Sequence, residues 1–191
     1  MTSEPICHDD PMQSPLWRYA LALYAKSGVA PACLALQAHA SVDVCVLLYA
    51  LFAANRGRPL TPAQLEASDQ RVRGWRERVI LPLRHLRQDM KDGIAPVPQA
   101  LLELVRQEVK QAELQAEQVT LAMLYLEFQA QAAPPAAGSR SVSTVREVVR
   151  LYLQLSQLPA QHLQLPQVQQ AIETLEHQAG AMPCEQPRGP A

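Results

Sequence analysis

The sequence contains few of the residues that β-strands favour. Only 5 % of its 191 residues are aromatic, with two phenylalanines and two tryptophans, and threonine and isoleucine are also scarce. Strands favour β-branched and aromatic side chains, whereas the abundant alanine, leucine and glutamine favour helices. Hydrophobic residues make up 48 % of the chain, which is sufficient for a packed core. The composition therefore predicts an all-α fold.

Closely spaced cysteine pairs are absent. The four cysteines are Cys7, Cys33, Cys45 and Cys184. Zinc and redox sites need two sulfurs to converge, and no Cys-x-x-Cys occurs here. Cys33 and Cys45 lie in apolar helical stretches, where a free cysteine packs as a small hydrophobic residue. The run Cys7-His8-Asp9-Asp10 contains side chains that can bind a metal. It lies in a segment that we expect to be disordered, so we predict no metal site and no cofactor.

Long hydrophobic runs are absent too. The longest apolar stretch covers residues 42–54 and is interrupted by Asp43, whereas a helix needs about 20 apolar residues to cross a bilayer. The first 13 residues lack the basic and apolar regions of a signal peptide. We therefore expect a cytoplasmic protein with no membrane span and reduced thiols.

Neither sign of charge dominates, and the common catalytic motifs are missing. The chain has 17 basic and 18 acidic residues, which excludes a polycation that coats nucleic acid with its whole surface. The seven glycines are scattered singly, so there is no phosphate-binding loop. Neither Gly-x-Ser-x-Gly nor His-Glu-x-x-His occurs. We predict no catalytic residues and a protein that is not an enzyme.

Prolines and capping residues mark the starts of the helices, because proline is tolerated in the first turn. Together with apolar residues spaced by three or four, they predict six to seven helices, at about 15–26, 31–39, 43–55, 62–91, 98–131, 145–158 and 166–179. Pro82 falls inside the fourth helix. We expect a kink or break there, since proline lacks an N–H and its ring clashes with the preceding turn.

One predicted helix is central and another is unusually long. The helix at about 43–55 is apolar on every side, and such a helix is normally surrounded by others. We therefore place it at the centre of the core. The helix at about 98–131 would extend ~50 Å at ~1.5 Å per residue.

The domain organisation follows from changes in composition. We predict a helical core domain at 14–131, an Ala/Pro linker at 132–142, and a C-terminal helical hairpin at 143–179 that packs on the core. The ends at 1–13 and 180–191 combine proline or glycine with polar residues and lack apolar periodicity. We expect both to be disordered tails.

Basic residues concentrate in one segment. Positions 56–91 contain nine basic and four acidic residues, whereas the rest of the chain is acidic overall. On an unbroken helical wheel, an edge of ~80° carries Arg73, Arg76, Arg84 and Arg87. Four guanidinium groups on one edge can bind phosphates or the carboxylates of a partner. The alternative is that these arginines pair internally with the acidic helix at 98–131.

A set of short motifs is distinctive: Ser14-Pro15-Leu16-Trp17, Tyr24, residues 28–37, Val42-Asp43-Val44, Trp75-Arg76 and Pro82-Leu83-Arg84. Over about residues 14–130 this set resembles a family of small uncharacterised proteobacterial proteins, known only as a domain of unknown function. In that family an acidic residue commonly follows the Leu-Gln pair, and asparagine follows Val-Asp-Val. This chain has Ala38 and Cys45 at those positions, so a polar site formed there in relatives would be lost. The resemblance implies a cytoplasmic bacterial protein and no particular reaction.

Three functions remain open on the sequence alone. The first is a non-catalytic helical binding or adaptor protein that engages a protein partner. The second is binding of nucleic acid or another polyanion through the Arg-rich helix at 71–91. The third is a small-molecule enzyme or sensor with a pocket around Trp17, Tyr49 and Trp75, although aromatic residues at helical spacing more often belong to the core.

Overall fold

The structure, a computed structural model that describes residues 10–131 and 141–183, is all-α. Its α-helices are α1 (Pro15–Tyr24), α2 (Val29–Ala40), α3 (Val44–Asn55), α4 (Pro62–Trp75), α5 (Leu81–Asp92), α6 (Gln99–Ala130), α7 (Val145–Leu155) and α8 (Pro166–Gly180). A π-helical segment, Arg76–Ile80, joins α4 to α5, and 3-10 turns cover Pro11–Gln13 and Ala160–Gln164. No strand occurs in the described ranges, where Leu60 and Val142 form an isolated antiparallel bridge. The predicted fold class is confirmed.

Several helices begin at the capping residues that the sequence predicts. Two capping boxes form, one at Thr61 and Gln64 and the other at Thr144 and Glu147. The carboxylate of Asp43 accepts a hydrogen bond from the third residue of α3. Each cap satisfies a backbone N–H that has no partner inside its helix, and so fixes where the helix starts.

Helix α3 is the centre of the core, as predicted. The nine residues from Cys45 to Ala53 are all buried. Helices α1, α4, α6 and α7 each pack against α3. The long predicted helix is also confirmed as α6, which has 32 residues.

The α-helical pattern is interrupted just before Pro82, where a kink or break was expected, by the π segment Arg76–Ile80. The N–H of Leu81 donates to the carbonyl of Arg76, five residues back, instead of to the fourth. The hydrogen-bonded turn therefore contains one residue more than an α-helical turn. It changes the backbone path at the point where, in a regular α-helix, the ring of Pro82 would clash with the carbonyl of Arg78. Helices α4 and α5 therefore follow one another without a loop.

The C-terminal helices are integral to the core. Their buried residues join the same hydrophobic cluster as α3, and α8 packs mainly on α2. Val142, at the end of the predicted linker, is buried, and its N–H donates to the carbonyl of Leu60 at 2.6 Å. The rest of the linker, 132–140, lies outside the described residues.

The predicted tails are only partly described. Within the expected N-terminal tail, Pro11–Gln13 forms a 3-10 turn on α6, where Gln118 Nε2 donates to the carbonyl of Met12 at 2.5 Å. That turn corrects the expectation of disorder, because a packed turn has a fixed place. Gly180 likewise ends α8. Residues 1–9 and 184–191 lie outside the described ranges.

The remaining expectations concern cysteines and membrane spans. Cys33 and Cys45 are free and buried, as expected for small hydrophobic residues.

Among the described residues no single helix has the length and apolar character needed to cross a membrane. Two segments, Pro11–Tyr24 and Val29–Ala40, meet the criteria of length and composition only when taken together, and they are bent by 102° relative to each other.

The burial of α3 predicts a large difference between two leucine truncations. Leu47 is completely buried, whereas Leu126 on α6 is 50 % exposed. We expect Leu47→Ala to lower the free energy of unfolding by ~2–5 kcal/mol, because it leaves a cavity in a packed core. Leu126→Ala should change it by less than ~0.5 kcal/mol. Urea unfolding of both variants is the measurement, and equal effects would contradict a core centred on α3.

Candidate functional site

A groove lies between α1, α2 and α3 on one side and α5 and α6 on the other. It encloses about 570 Å³, which is within the range of ligand sites in proteins. The more buried part of its lining includes Trp17, Leu48 and Leu121. The rim carries four exposed apolar side chains: Leu21, Tyr24, Leu34 and Leu114. The groove is therefore apolar at its base and along its rim.

One end of the groove is charged. Arg84 of α5 donates from Nε to Glu113 Oε1 at 2.8 Å and from Nη2 to Glu117 Oε1 at 2.6 Å. Arg87 donates from Nε to Glu113 Oε2 at 2.5 Å. Glu113 thus accepts hydrogen bonds from two arginines, and Glu117 from one. These ion pairs join α5 to α6.

A second cavity of about 330 Å³ adjoins the groove. The two share lining residues, namely Gln37, Val44, Cys45, Arg84 and Glu117. The remainder of the second cavity is more polar, with Asp43, Asp69 and Arg76 among its lining residues. The shared wall is thus the place where the apolar groove meets a charged interior.

Arg76 forms a largely buried ion-pair network in the second cavity. Its Nη1 donates to Asp43 Oδ2 and Asp69 Oδ1, both at 2.8 Å. The Tyr152 hydroxyl of α7 donates to the same oxygen of Asp69 at 2.6 Å. Burial raises the pKa of the Tyr152 phenol, and the neighbouring carboxylates raise it further, so Tyr152 stays a donor at neutral pH. The network connects the start of α3 with α4 and α7.

Three of the four predicted partner-binding arginines form buried or half-buried ion pairs in two different places, and the fourth is mainly exposed. Arg84 and Arg87 pair with Glu113 on α6, which is the internal pairing considered as the alternative. Arg76 pairs with carboxylates of other elements instead. Arg73 has 54 % of its side chain exposed and lies 3.7 Å from Glu77.

The π segment explains why the arginines do not form the predicted edge. The helical wheel assumed an unbroken α-helix from Arg73 to Arg87. An extra residue in the π turn rotates everything after it by about 100° relative to an α-helix. Arg84 and Arg87 therefore turn toward α6, where both pair with Glu113, while Arg73, Arg76 and Arg84 line the second cavity.

The three predicted pocket aromatics are not brought together. Trp17 lines the groove, whereas Tyr49 is completely buried in the core. The Trp75 indole N–H donates to the carbonyl of Ala116 at 2.9 Å, and the Tyr49 hydroxyl accepts from Gln131 Nε2 at 3.4 Å. Those two contacts on α6 are separated by 15 residues, or about 22 Å along the helix. One pocket around all three is therefore wrong.

The two glutamates at the charged end have opposite pKa shifts. Burial alone would raise the pKa of Glu113, but hydrogen bonds from Arg87 and Arg84 outweigh it and the pKa is lowered. For Glu117, burial raises the pKa, and the carboxylates of Glu113 and Asp43 add to the shift. The single ion pair with Arg84 does not offset these effects. The environment of Glu117 therefore disfavours its ionised form, whereas that of Glu113 favours it.

The sequence did not single out Glu113, Glu117 or Gln37. Glu113 and Glu117 lie in α6, which contains several glutamates and glutamines, and a helical pattern does not distinguish which of them faces a groove. Gln37 is the one glutamine of α2, and its position in the sequence does not show that it faces α6. In the sequence, Asp43 stands out only within the motif Val42-Asp43-Val44 and as the polar residue in an apolar stretch. Its second role as a partner of Arg76 depends on a contact between residues 33 positions apart, for which no local signal exists.

A comparison with protein families identifies the chain. The sequence model described as "Protein of unknown function (DUF2390)" matches residues 15–124. The chain belongs to this family. No curated protein and no solved structure matches it.

The part matched by the DUF2390 family contains every helix that lines the groove. It extends from α1 into α6 and ends before α7 and α8. The two positions at which the sequence departs from the expected family pattern, Ala38 and Cys45, both line the groove. The polar groups expected there in relatives would therefore face the same space, which in this chain is apolar at both positions.

The buried network around Arg76 predicts unequal effects of two arginine substitutions. Arg76→Gln leaves Asp43 and Asp69 without their cation in a largely buried place, and we expect it to lower the free energy of unfolding by ~3–5 kcal/mol. Arg73→Gln removes only an exposed pair, so its effect should stay within ~1 kcal/mol. Chemical denaturation of both variants measures the difference. Similar values would show that the network around Arg76 contributes nothing specific.

The opposite pKa shifts predict opposite effects for two glutamates one turn apart. Glu113 has a lowered pKa, so its ionised form stabilises the fold above its usual pKa of 4.5, and this contribution is lost as the pH falls through the folded value. Glu113→Gln should lower the free energy of unfolding at pH 7, with less effect at low pH.

Glu117 has a raised pKa, so its ionisation opposes folding at neutral pH. Glu117→Gln should leave the free energy of unfolding at pH 7 unchanged or raise it, and this effect should disappear at low pH, where the carboxyl group is protonated. Denaturation curves between pH 3 and pH 7 compare the two variants. A loss of stability by Glu117→Gln as large as that by Glu113→Gln would contradict the assignment.

Proposed function

We propose that the protein is a non-catalytic binding protein that engages a partner protein through the groove. The observation that supports this proposal is the rim. Leu21, Tyr24, Leu34 and Leu114 are between 38 % and 64 % exposed and line the same depression. Contiguous apolar side chains on the surface of a soluble protein usually mark a place where another molecule binds.

An amphipathic helix of the partner is the ligand that suits this groove. The walls are themselves helices, and an apolar groove between helices accepts the apolar face of another helix through side chains spaced by three or four residues. The apolar base around Trp17 and Leu121 provides a place for such anchors. The charged end at Arg84 and Glu117 provides polar contacts beside them.

The chemistry of the lining favours binding over catalysis. Burial raises the pKa of the Cys33 thiol to about 11, and it holds the pKa of Cys45 well above its usual range, so neither thiol is an activated nucleophile. The guanidinium groups of Arg84 and Arg87 are already hydrogen-bonded to carboxylates. The free, buried cysteines also suit a reducing compartment such as the cytoplasm.

Binding of a polyanion through the Arg-rich helix has less support. Nucleic acid is held mainly by cations that can neutralise phosphates. Three of the four candidate arginines are instead neutralised within the chain, and only Arg73 is mainly exposed. Such a protein would lose affinity steeply as salt increases, whereas an apolar groove would not.

A pair of leucine substitutions tests the proposed function. Leu34→Glu places a charge on the rim of the groove, and Leu126→Glu places one on an exposed site of α6 that does not line it. Both positions are at least half exposed, so both variants should keep the fold and melting temperature. We expect the wild type and Leu126→Glu to capture the same protein from host extract at physiological salt, and Leu34→Glu to lose it.

A photo-crosslinking amino acid at position 34 identifies the contact. The crosslinked peptide should come from an amphipathic helix of the captured protein. Equal capture by the wild type and both variants would contradict the proposal, as would crosslinks to nucleic acid.

A further inference from the structure

Glu117 presents an unused acceptor on the wall shared by the two cavities. Its Oε1 accepts from Arg84, whereas Oε2 accepts no hydrogen bond from any residue in the described ranges. The side chain is 30 % exposed, so the free oxygen is accessible to a ligand. Gln37 lines the same two cavities, and its amide also has no partner within the described part of the chain.

The surrounding ion pairs contain more carboxylates than guanidinium groups. The arginines are Arg73, Arg76, Arg84 and Arg87, and their carboxylate partners are Asp43, Asp69, Glu77, Glu113 and Glu117. Four guanidinium groups therefore pair with five carboxyl groups in this network. Three of these five carboxylates, Asp43, Glu113 and Glu117, come from outside the basic segment at 56–91.

We propose that Glu117, together with Gln37, receives a lysine or arginine side chain of the partner, so that the groove selects a basic amphipathic helix. This inference rests on the proposed function of the groove. The apolar face of the helix covers the rim and base, and a basic residue beside that face reaches the charged end. Its ammonium or guanidinium group adds a cation to a network with more carboxyl than guanidinium groups and donates to Glu117 Oε2.

The environment of Glu117 agrees with this assignment. The groups that face it are Arg84 from α5, Glu113 from α6 and Asp43 at the start of α3, and their combined effect with burial is a raised pKa. A bound cation would stabilise the ionised carboxylate and return the pKa toward its usual value. An acidic side chain of the partner would lie beside the carboxyl groups of Glu113 and Glu117. It would find no free cation there, since the guanidinium groups of Arg84 and Arg87 are already paired with those carboxyl groups.

Selection from a library of helical peptides tests the inference. The library displays 16-residue peptides with leucines spaced by three and four residues and with the flanking positions randomised. The full chain is the bait, and peptides that also bind Leu34→Glu are removed. We expect lysine or arginine to be enriched at one position beside the leucines.

Binding constants of the selected peptide identify the acceptor. Replacement of its basic residue by glutamine should weaken binding about tenfold, and Glu117→Gln should have a similar effect. The two changes together should weaken binding little more than either one, because they remove the same contact. Glu103→Gln is the matched control, since Glu103 lies on α6 outside the groove and pairs with Arg106.

The outcomes separate the inference from the proposed function. The inference would be overturned if the selected peptides bind the groove through apolar anchors without a basic residue. It would also be overturned if they bind Glu117→Gln as tightly as the wild type. Either outcome leaves the proposed function intact. Enrichment of acidic residues would also overturn the inference. If no peptide remains once those that also bind Leu34→Glu are removed, the groove is not the binding site and both proposals fail. Circular dichroism confirms that each variant is folded, and Arg84 retains Glu113 when Glu117 is replaced.

Discussion

Helix α3 has no polar side to present to water, and the rest of the fold follows from that constraint. An all-apolar helix must be covered around its whole circumference. The region matched by the DUF2390 family supplies α1, α4 and α6, and α7 from the following segment also packs on α3. The C-terminal helices therefore complete a core that the family region alone leaves open on one side.

The start of α3 is where the apolar core meets charge. Asp43 caps the helix with one oxygen and holds Arg76 with the other. Through Asp69 and Tyr152 this contact extends to α4 and α7, so three elements are fixed relative to one another at the N-terminus of the central helix. Hydrogen bonds to charged groups inside a protein are directional, and they add a defined orientation to the non-directional packing of α3.

Features set by local patterns could be predicted from the sequence. The central helix, the capping boxes and the long α6 all depend on residues a few positions apart. The positions of Arg84 and Arg87 could not be predicted, because a single π turn between residues 76 and 80 changes which way all later side chains face. The groove also depends on distant contacts. Leu34 and Leu114 belong to different helices, and neither stands out from other leucines in the sequence.

The length of the π segment controls the shape of the groove. Loss of one residue from Arg76–Ile80 would restore a regular α-helix and turn α5 by about 100° about its axis. Arg84 and Arg87 would then swing away from Glu113, and the charged end would come apart while α3 and its surroundings stayed packed. Pro82 would at the same time meet the carbonyl four residues before it. Insertions and deletions in this one turn therefore offer a route by which relatives could acquire differently shaped grooves on the same helical core.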